Sequence, residues 1–315
     1  MKDTFFIVGP TAVGKSELAV DVASRIDAEI VSADAFQIYR GFDLLTAKPD
    51  AATLAKVPHH LIGTMSILQE MNAAKFRQFA LGAIGEIHAR GKLVMVVGGS
   101  GLYIKALTHG LNAAPSADPV LRAQLNELTS DQLREKLVDL DPETACKIDM
   151  KNRRRVVRAL EISLLAGAPV SGQRMQAVAG VVKPGRPRSA PLNGAAAKGI
   201  FVFRNREELH KRINQRVEAM FENDVIGEVR AIDEIGATAA KMVGLREIRE
   251  HLEGKMSILQ CMEKIQGATR QYAKRQLTWF RHQTSFEPLN LSLLTHKEAI
   301  ERISQRASLL GRAKG

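Results

Sequence analysis

The first hundred residues alternate short apolar runs with stretches in which apolar residues recur at helical spacing. The apolar runs predict buried strands at Phe5–Gly9, Glu29–Ala33 and Leu93–Gly98. The helical spacing predicts amphipathic helices at Lys15–Ile26 and Ala73–Arg90. Strands that alternate with helices are typical of a parallel sheet covered by helices, so this pattern predicts an α/β fold.

The pattern changes near residue 112. Residues 112–119 are rich in turn formers, and residues 121–140 then have the spacing of one amphipathic helix. A second helical stretch begins at Asp141-Pro142 and continues through the basic sequence KNRRRVVRALEISLL. Residues 166–198 are rich in Gly, Pro, Ala and Ser and predict an irregular loop, after which Gly199–Arg204 predicts another strand.

The return of a strand after residue 198 indicates that the helical segment is inserted into the sheet domain. We therefore expect residues 1–111 to form the first part of a catalytic core and residues 112–198 to form a helical insertion. Residues 199–315 are expected to complete the core with the return strand and to add a helical C-terminal region.

The charge of the chain adds a partner class. Lys and Arg outnumber Asp and Glu by 45 to 34, and the formal net charge is +11. This favours nucleic acid as a partner over the alternative, a basic enzyme without a polyanionic partner.

The chain has two cysteines, Cys146 and Cys261. They are too few for a disulfide framework or a zinc finger, so we expect a location in the reducing cytoplasm. No apolar run reaches membrane-spanning length, and no membrane association is expected.

The segment between the first strand and the first helix reads GPTAVGKS and fits the G-x-x-x-x-G-K-[ST] pattern of a phosphate-binding loop. In such a loop, backbone N–H groups face an anion, the lysine contacts phosphate oxygens and the hydroxyl residue holds Mg²⁺. The residues expected to bind the ligand are Gly9, Pro10, Thr11, Ala12, Val13, Gly14, Lys15 and Ser16. Ser16 is the expected metal ligand. The expected fold is thus a P-loop NTPase-like parallel sheet flanked by helices, with a helical insertion domain.

Two further candidates follow predicted strands at the same edge of the sheet. Asp34 ends the sequence VSAD, where it either holds a magnesium ion or acts as a base toward the reacting group. Ser100 lies among glycines in VVGGSGLYIKAL, and this strand lacks the acidic residue of a Walker-B strand, which weighs against an ATPase. The loop after Asp34 contains Gln37, Tyr39 and Lys48, which suit recognition of a base or a phosphate as well as a solvated loop.

Together these motifs resemble a known family. The segments, in chain order, are GPTAVGKS, DAFQIYRG, TAKP, VPHHLIG, GGSGLY, KNRRRVVRALE and YAKRQLTWFR. Their order and spacing resemble the tRNA dimethylallyltransferases of bacterial type over residues 5 to about 290. The resemblance implies transfer of the dimethylallyl group of dimethylallyl diphosphate to the exocyclic amine of the adenosine 3′ of the anticodon. The tRNAs modified by this family read codons that begin with U.

The resemblance also implies roles for individual residues. The phosphate-binding loop and Mg²⁺ on Ser16 stabilise the departing diphosphate, and no phosphorus is attacked. Asp34 matches the base that takes the proton of the weakly nucleophilic amine. Ser100 matches a threonine beside the flipped base, and Arg216 matches an arginine near the diphosphate and the amine, so the implied catalytic residues are Asp34, Ser100 and Arg216.

The resemblance further implies contacts to the anticodon stem-loop of tRNA, made by a protein that is expected to be a monomer. The implied tRNA-binding residues are Asp34, Ala35, Phe36, Gln37, Ser100, Arg122, Arg154, Arg155, Arg158, Lys241, Gly244, Arg246, Lys274, Arg275, Gln276, Thr278, Trp279 and Arg281. Arg275, Trp279 and Arg281 combine charge with a stacking surface, as single-stranded RNA loops favour.

The chain departs from the usual family pattern at a few positions. Ala35 replaces a serine, Leu45 a glycine before TAKP, Ser100 a threonine and Leu245 a tyrosine, and the MxxxGL turn reads MFENDVI. Three other functions are weighed beside the transferase: a P-loop kinase for small molecules, an isopentenyltransferase for free AMP, and an RNA-binding protein without catalysis. Intact Lys15, Ser16 and Asp34 speak against the last.

Overall fold

A computed structural model of the chain describes residues 3–111, 115, 117–167, 169–170 and 197–311. The chain forms two compact units, Met1–Gly110 with Ala190–Gly315, and Leu111–Ser189. The insertion was expected at residues 112–198. The irregular loop expected over residues 166–198 lies, apart from its ends, outside the described residues.

The first unit contains one six-stranded sheet, and every pair of neighbouring strands is parallel. The strands are β1 (Thr4–Val8), β2 (Ala28–Ser32), β3 (His59–His60), β4 (Leu93–Gly98), β5 (Lys198–Phe203) and β6 (Glu287–Asn290). Their order is β3-β2-β4-β1-β5-β6. This confirms the predicted α/β fold with a parallel sheet.

Helices fill most of the remaining described chain. They are α1 (Lys15–Arg25), α2 (Ala51–Lys56), α3 (Ala73–Ala89), α4 (Gly101–Thr108), α5 (Pro119–Glu127), α6 (Ser130–Leu140), α7 (Pro142–Lys147), α8 (Arg153–Ala166), α9 (Arg206–Glu222), α10 (Val225–Arg230), α11 (Leu245–Leu252), α12 (Ile258–Gln283) and α13 (His296–Gly311). Two 3₁₀ turns occur at Ala239–Lys241 and Leu291–Leu293. Among the described residues, no helix has both the length and the apolar character that crossing a membrane requires.

The sheet is buried on both faces. In β1, Phe6 and Val8 pack into one hydrophobic cluster, whereas Phe5 and Ile7 pack into a second. Side chains of successive strand residues point to opposite faces, so a strand covered on both sides needs a continuous apolar run rather than an alternating one. This explains the TFFIV sequence of β1.

The inserted unit has two helices where the sequence pattern predicted one long helix over residues 121–140, so that prediction is wrong. Helix α5 ends at Glu127 and α6 begins at Ser130. Thr129 and Gln132 form a reciprocal capping box that starts α6, and satisfying these backbone groups favours a helix start over a continuous helix. The next stretch is also divided, because Asn152 caps a new helix, α8.

The pattern also missed strands at both edges of the sheet. β3 has only two residues, His59 and His60, and β6 contains Pro288. Neither sequence has the apolar periodicity of a strand, and proline is tolerated only where a strand lies at an edge. Both elements are therefore defined by their parallel pairing to β2 and β5.

Candidate active site

A cavity of about 420 Å³ lies at the carboxyl edge of the sheet. Its polar wall includes Thr11, Ala12, Gly14, Lys15, Ser16, Asp34, Gln37, Arg212 and Arg216. Its apolar wall includes Leu45, Val217, Met220, Met242, Ile265 and Tyr272. The structure thus brings most of the phosphate-binding loop together with Asp34 and Arg216, while Ser100 does not line this cavity.

The phosphate-binding loop has the backbone shape that its glycines predict. Gly14 has φ 98° and lies at the N-cap of α1, a conformation that favours glycine. A Cβ on Gly9 would lie 2.3 Å from the carbonyl oxygen of Val202 in β5, so only glycine fits there. The Nζ of Lys15 donates to the carbonyl oxygen of Pro10 at 2.6 Å, which holds the lysine inside the loop.

Burial disfavours the protonated, charged form of Lys15. Burial lowers its pKa from 10.5 to about 7, Asp34 opposes this shift and nearby Arg216 adds to it. Burial also lowers the pKa of Arg216, and Asp34 again opposes the shift. The buried Lys15 and Arg216 thus lie in a desolvated site near the Asp34 carboxylate, an arrangement that favours an anionic ligand.

Arginines from beyond the inserted segment brace the loop. Arg216 donates from Nη1 to Thr11 Oγ1 at 3.0 Å and from Nη2 to the Thr46 carbonyl oxygen at 3.3 Å. Arg212 donates from Nε to the Ala12 carbonyl oxygen at 2.9 Å, and Arg204 from Nε to the Val13 carbonyl oxygen at 3.0 Å. Sequence reasoning missed Arg204, although its position directly after β5 places it at the ligand edge of a parallel sheet.

Asp34 is fixed by the turn that follows β2. Its Oδ1 accepts from the backbone N–H of Phe36 at 2.9 Å and of Gln37 at 3.2 Å. Ser100 lies beside it, because the Ser100 N–H donates to the Ala33 carbonyl oxygen at 3.3 Å. Ser100 is at the N-cap of α4 without a capping bond from its side chain.

The loop after Asp34 is folded on itself. The buried Lys48 Nζ donates to the carbonyl oxygens of Tyr39 at 2.6 Å and Gly41 at 2.8 Å and to Asp43 Oδ1 at 2.5 Å. The Tyr39 hydroxyl accepts from the Met71 N–H at 3.2 Å. Lys48 and Tyr39 therefore hold the loop together, and Lys48 also lines the cavity.

Gln276 is hydrogen-bonded within the protein at both ends of its side-chain amide. Its Oε1 accepts from the Thr11 N–H at 2.9 Å and its Nε2 donates to the Gly99 carbonyl oxygen at 2.8 Å. The side chain is 6% exposed. A tRNA contact was implied for Gln276, whereas the structure uses both ends of its amide to join the phosphate-binding loop to the turn after β4.

Other expected RNA contacts on α12 share one exposed face: Lys274, Arg275, Thr278 and Arg281. Trp279 is half-buried and packs on the backbone of Gly101, where a Cβ would lie 2.3 Å from the indole. Tyr272, which sequence reasoning did not select, lines the cavity from the same helix. Burial and then Asp34 raise the pKa of its phenol, which stays neutral.

The remaining expected contacts divide into exposed and structural groups. Lys241 and Arg246 are exposed, and Gly244 is buried at the N-cap of α11. In the inserted unit, Arg154 and Arg155 are exposed on α8.

Arg122 and Arg158 have a structural role within the inserted unit. Each donates to Glu161 Oε2 at 2.6 Å, and the Glu161 side chain is fully buried. Burial would raise the pKa of Glu161, but the hydrogen bonds from Arg158 and Arg122 outweigh it and lower the pKa. Both arginines therefore stabilise the inserted unit.

Comparison with known proteins places the chain in a family. A family model described as "IPP transferase" matches residues 37–283. A tRNA dimethylallyltransferase of Akkermansia muciniphila is 39% identical over 96% of this chain and 98% of its own length. The tRNA dimethylallyltransferase 1 of Citrifermentans bemidjiense is 41% identical over 86% of this chain and 87% of its own.

A solved structure is similar over the full length. The crystal structure of a tRNA isopentenylpyrophosphate transferase from Bacillus halodurans is 32% identical, with a TM-score of 0.68, and the match covers 100% of this chain and 99% of that chain. Such identity over nearly whole chains, with the phosphate-binding loop and Asp34 lining one cavity, identifies the family. The chain belongs to the IPP transferase family.

Proposed function

We propose that this protein transfers the dimethylallyl group of dimethylallyl diphosphate to the exocyclic amine of the adenosine 3′ of the anticodon. The tRNAs are those that read codons beginning with U, and the products are N6-dimethylallyladenosine and diphosphate. The observation that carries the proposal is that Lys15, Arg216 and Asp34 line one cavity together with apolar side chains such as Leu45 and Met220. The relatives named tRNA dimethylallyltransferase support the same reaction.

The leaving group is handled by the phosphate-binding loop. The allylic C–O bond breaks, the new C–N bond forms, and the electron pair of the broken bond remains on the diphosphate oxygen. Lys15, Arg216 and the loop N–H groups stabilise that growing negative charge. Binding of the anion also favours the protonated form of Lys15, whose pKa burial lowers to about 7.

Asp34 takes the proton of the attacking amine. An adenine amine is weakly nucleophilic because its lone pair is delocalised, so a positioned base assists as the C–N bond forms. The Phe36 and Gln37 N–H groups hold the Asp34 carboxylate in place for that transfer. Ser100 follows the strand beside Asp34 and is proposed to contact the flipped base.

Mg²⁺ is part of the proposal. The Ser16 hydroxyl lines the same cavity as Asp34, and oxygen donors suit Mg²⁺, which keeps several water molecules and substrate phosphate oxygens as ligands. When bound, Mg²⁺ neutralises diphosphate charge, and Ser16 would hold it.

The tRNA is proposed to bind through exposed basic residues of α12 and α8, largely by contacts to phosphates. The target adenosine must leave its stack, at a cost on the order of a few kcal/mol. We further propose a monomer, as the family resemblance implies, and a cytoplasmic location, because two cysteines are too few for a disulfide framework.

The reaction is tested with labelled dimethylallyl diphosphate and a tRNA that carries adenosine 3′ of its anticodon. We expect label on that tRNA, no label on the same tRNA with guanosine at this position, and none on AMP. Asp34→Asn should lower kcat by about 100-fold or more. Transfer of the γ-phosphate of ATP to any acceptor, without prenylation of tRNA, would instead identify a kinase.

A further inference from the structure

A carboxylate outside the cavity fastens the loop that forms part of its wall. Glu228 on α10 accepts from the Leu44 N–H through Oε1 and from the Leu45 N–H through Oε2, each at 2.8 Å. Both oxygens of one carboxylate are thus bound to successive backbone groups nearly two hundred residues away in sequence. Charge-assisted bonds of this kind are about twice as strong as neutral ones.

The turn before α10 delivers Glu228 to this position. Asp224 has φ 64°, begins α10 and accepts from the Gly227 N–H at 3.0 Å. The Glu228 N–H donates to the Asp224 carbonyl oxygen at 3.1 Å, so Glu228 lies one helical turn after the cap.

The fastened loop contacts the residues that handle the leaving group. Thr46 directly follows Leu45 in this loop. Its carbonyl oxygen accepts from Arg216 Nη2 at 3.3 Å and from Gln37 Nε2 at 3.3 Å. Leu45 itself lines the cavity and is 6% exposed. If the bonds to the Leu44 and Leu45 N–H groups were removed, Thr46 could move. Arg216 would then lose its hydrogen bond to the Thr46 carbonyl oxygen, which is one of the two bonds that orient it.

We propose that Glu228 is a positioning residue that fixes the loop at residues 42–48 and, through Thr46, orients the Arg216 guanidinium toward the diphosphate. Glu228 does not line the cavity. Its effect passes through Arg216, so removing Glu228 should matter only while residue 216 can use the Thr46 carbonyl oxygen. This inference rests on the proposed function only where transfer to tRNA is the readout.

The test is a double-mutant cycle of Glu228→Ala and Arg216→Met, since methionine keeps an unbranched apolar stem but cannot donate a hydrogen bond to the Thr46 carbonyl oxygen. The affinity for inorganic diphosphate and the kcat for transfer are measured for all four proteins. We expect Glu228→Ala to lower both about tenfold in the wild-type background and less than about twofold in the Arg216→Met background. The KM for tRNA should stay within about twofold.

Glu228→Gln guards against a protein that does not fold, because glutamine keeps one acceptor oxygen at nearly the same size. We expect a smaller loss of diphosphate affinity than with alanine, and no loss from Glu222→Gln, which removes an exposed carboxylate on α9. Equal losses in both backgrounds, or wild-type affinity in Glu228→Gln, would overturn the inference. A wild type that binds diphosphate but prenylates no tRNA would refute the proposed function, while the diphosphate cycle still decides the role of Glu228.

Discussion

Lys15 is placed to bind an anionic ligand, but its buried charge lowers the stability of the folded protein when no ligand is bound. Burial lowers its pKa from 10.5 to about 7, so between those values the unfolded chain binds more protons than the folded one, and stability rises with pH. Below about pH 7 the full cost of the buried charge is present. We expect Lys15→Met to raise the free energy of unfolding at pH 7 and to lower transfer about 100-fold or more.

Denaturant unfolding of both proteins from pH 6 to 11 checks this expectation. The advantage of Lys15→Met should shrink as pH rises above 7 and vanish near 10.5. Lys56→Met, at an exposed position, provides the matched control and should show no such trend. A constant difference across the range would contradict the predicted desolvation.

Gln276 links two turns that the sequence places far apart. Gln276→Leu would leave the Thr11 N–H and the Gly99 carbonyl oxygen without this partner, at a cost of about 1–3 kcal/mol. We expect a lower melting temperature, a lower kcat and weaker binding of inorganic diphosphate. Gln271→Leu, at an exposed position on the same helix, should change none of these quantities. If Gln276→Leu lowered only the affinity for tRNA, Gln276 would instead be an RNA contact, as the resemblance implies.

At the scale of elements, α12 separates two tasks on opposite sides. Gln276 and Phe280 are buried, whereas Lys274, Arg275 and Arg281 are exposed. Arg275→Ala with Arg281→Ala should raise the KM for tRNA and leave the KM for dimethylallyl diphosphate unchanged. Each lost phosphate contact should reduce the slope of log K against log salt by about 1.

Filter binding of tRNA at a series of salt concentrations measures that slope. Lys297→Ala with Arg302→Ala removes the same charge from exposed positions on α13 and serves as the control. If both pairs lower the slope equally, net charge rather than the face of α12 determines binding.

Elements whose chemistry is local were predictable from the sequence, and those made by distant contacts were not. The phosphate-binding loop and the bounds of β4 follow from short patterns, which the structure reproduces at Leu93–Gly98. The capping box at Thr129 is also local, but the uninterrupted apolar spacing concealed it. β6, Arg204 and Gln276 acquire their roles only from partners elsewhere in the chain, which a single sequence does not pair.

At the scale of the whole molecule, the two compact units have separate hydrophobic cores. The core of the inserted unit includes Leu125, Leu133, Leu137 and Leu160 and shares no residue with the two clusters that cover the sheet. Cores that are separate can unfold separately. Under the proposed function, we therefore expect a substitution confined to the inserted unit to weaken tRNA binding without weakening diphosphate binding.

Glu161 is the residue with which to test this separation. Glu161→Ala would remove the buried carboxylate that accepts from the partly exposed Arg122 and Arg158, and lost hydrogen bonds to a charged group cost about 1.5–3 kcal/mol. Because its pKa is lowered below 4.5, the stabilisation by Glu161 is complete above that pH and is lost as pH falls through the folded value. Hydrogen exchange should show lost protection in α5–α8 alone, with weaker tRNA binding and unchanged affinity for inorganic diphosphate. Exchange that rises equally in the sheet unit would show one cooperative molecule instead, and Glu135→Ala, exposed on α6, should alter neither.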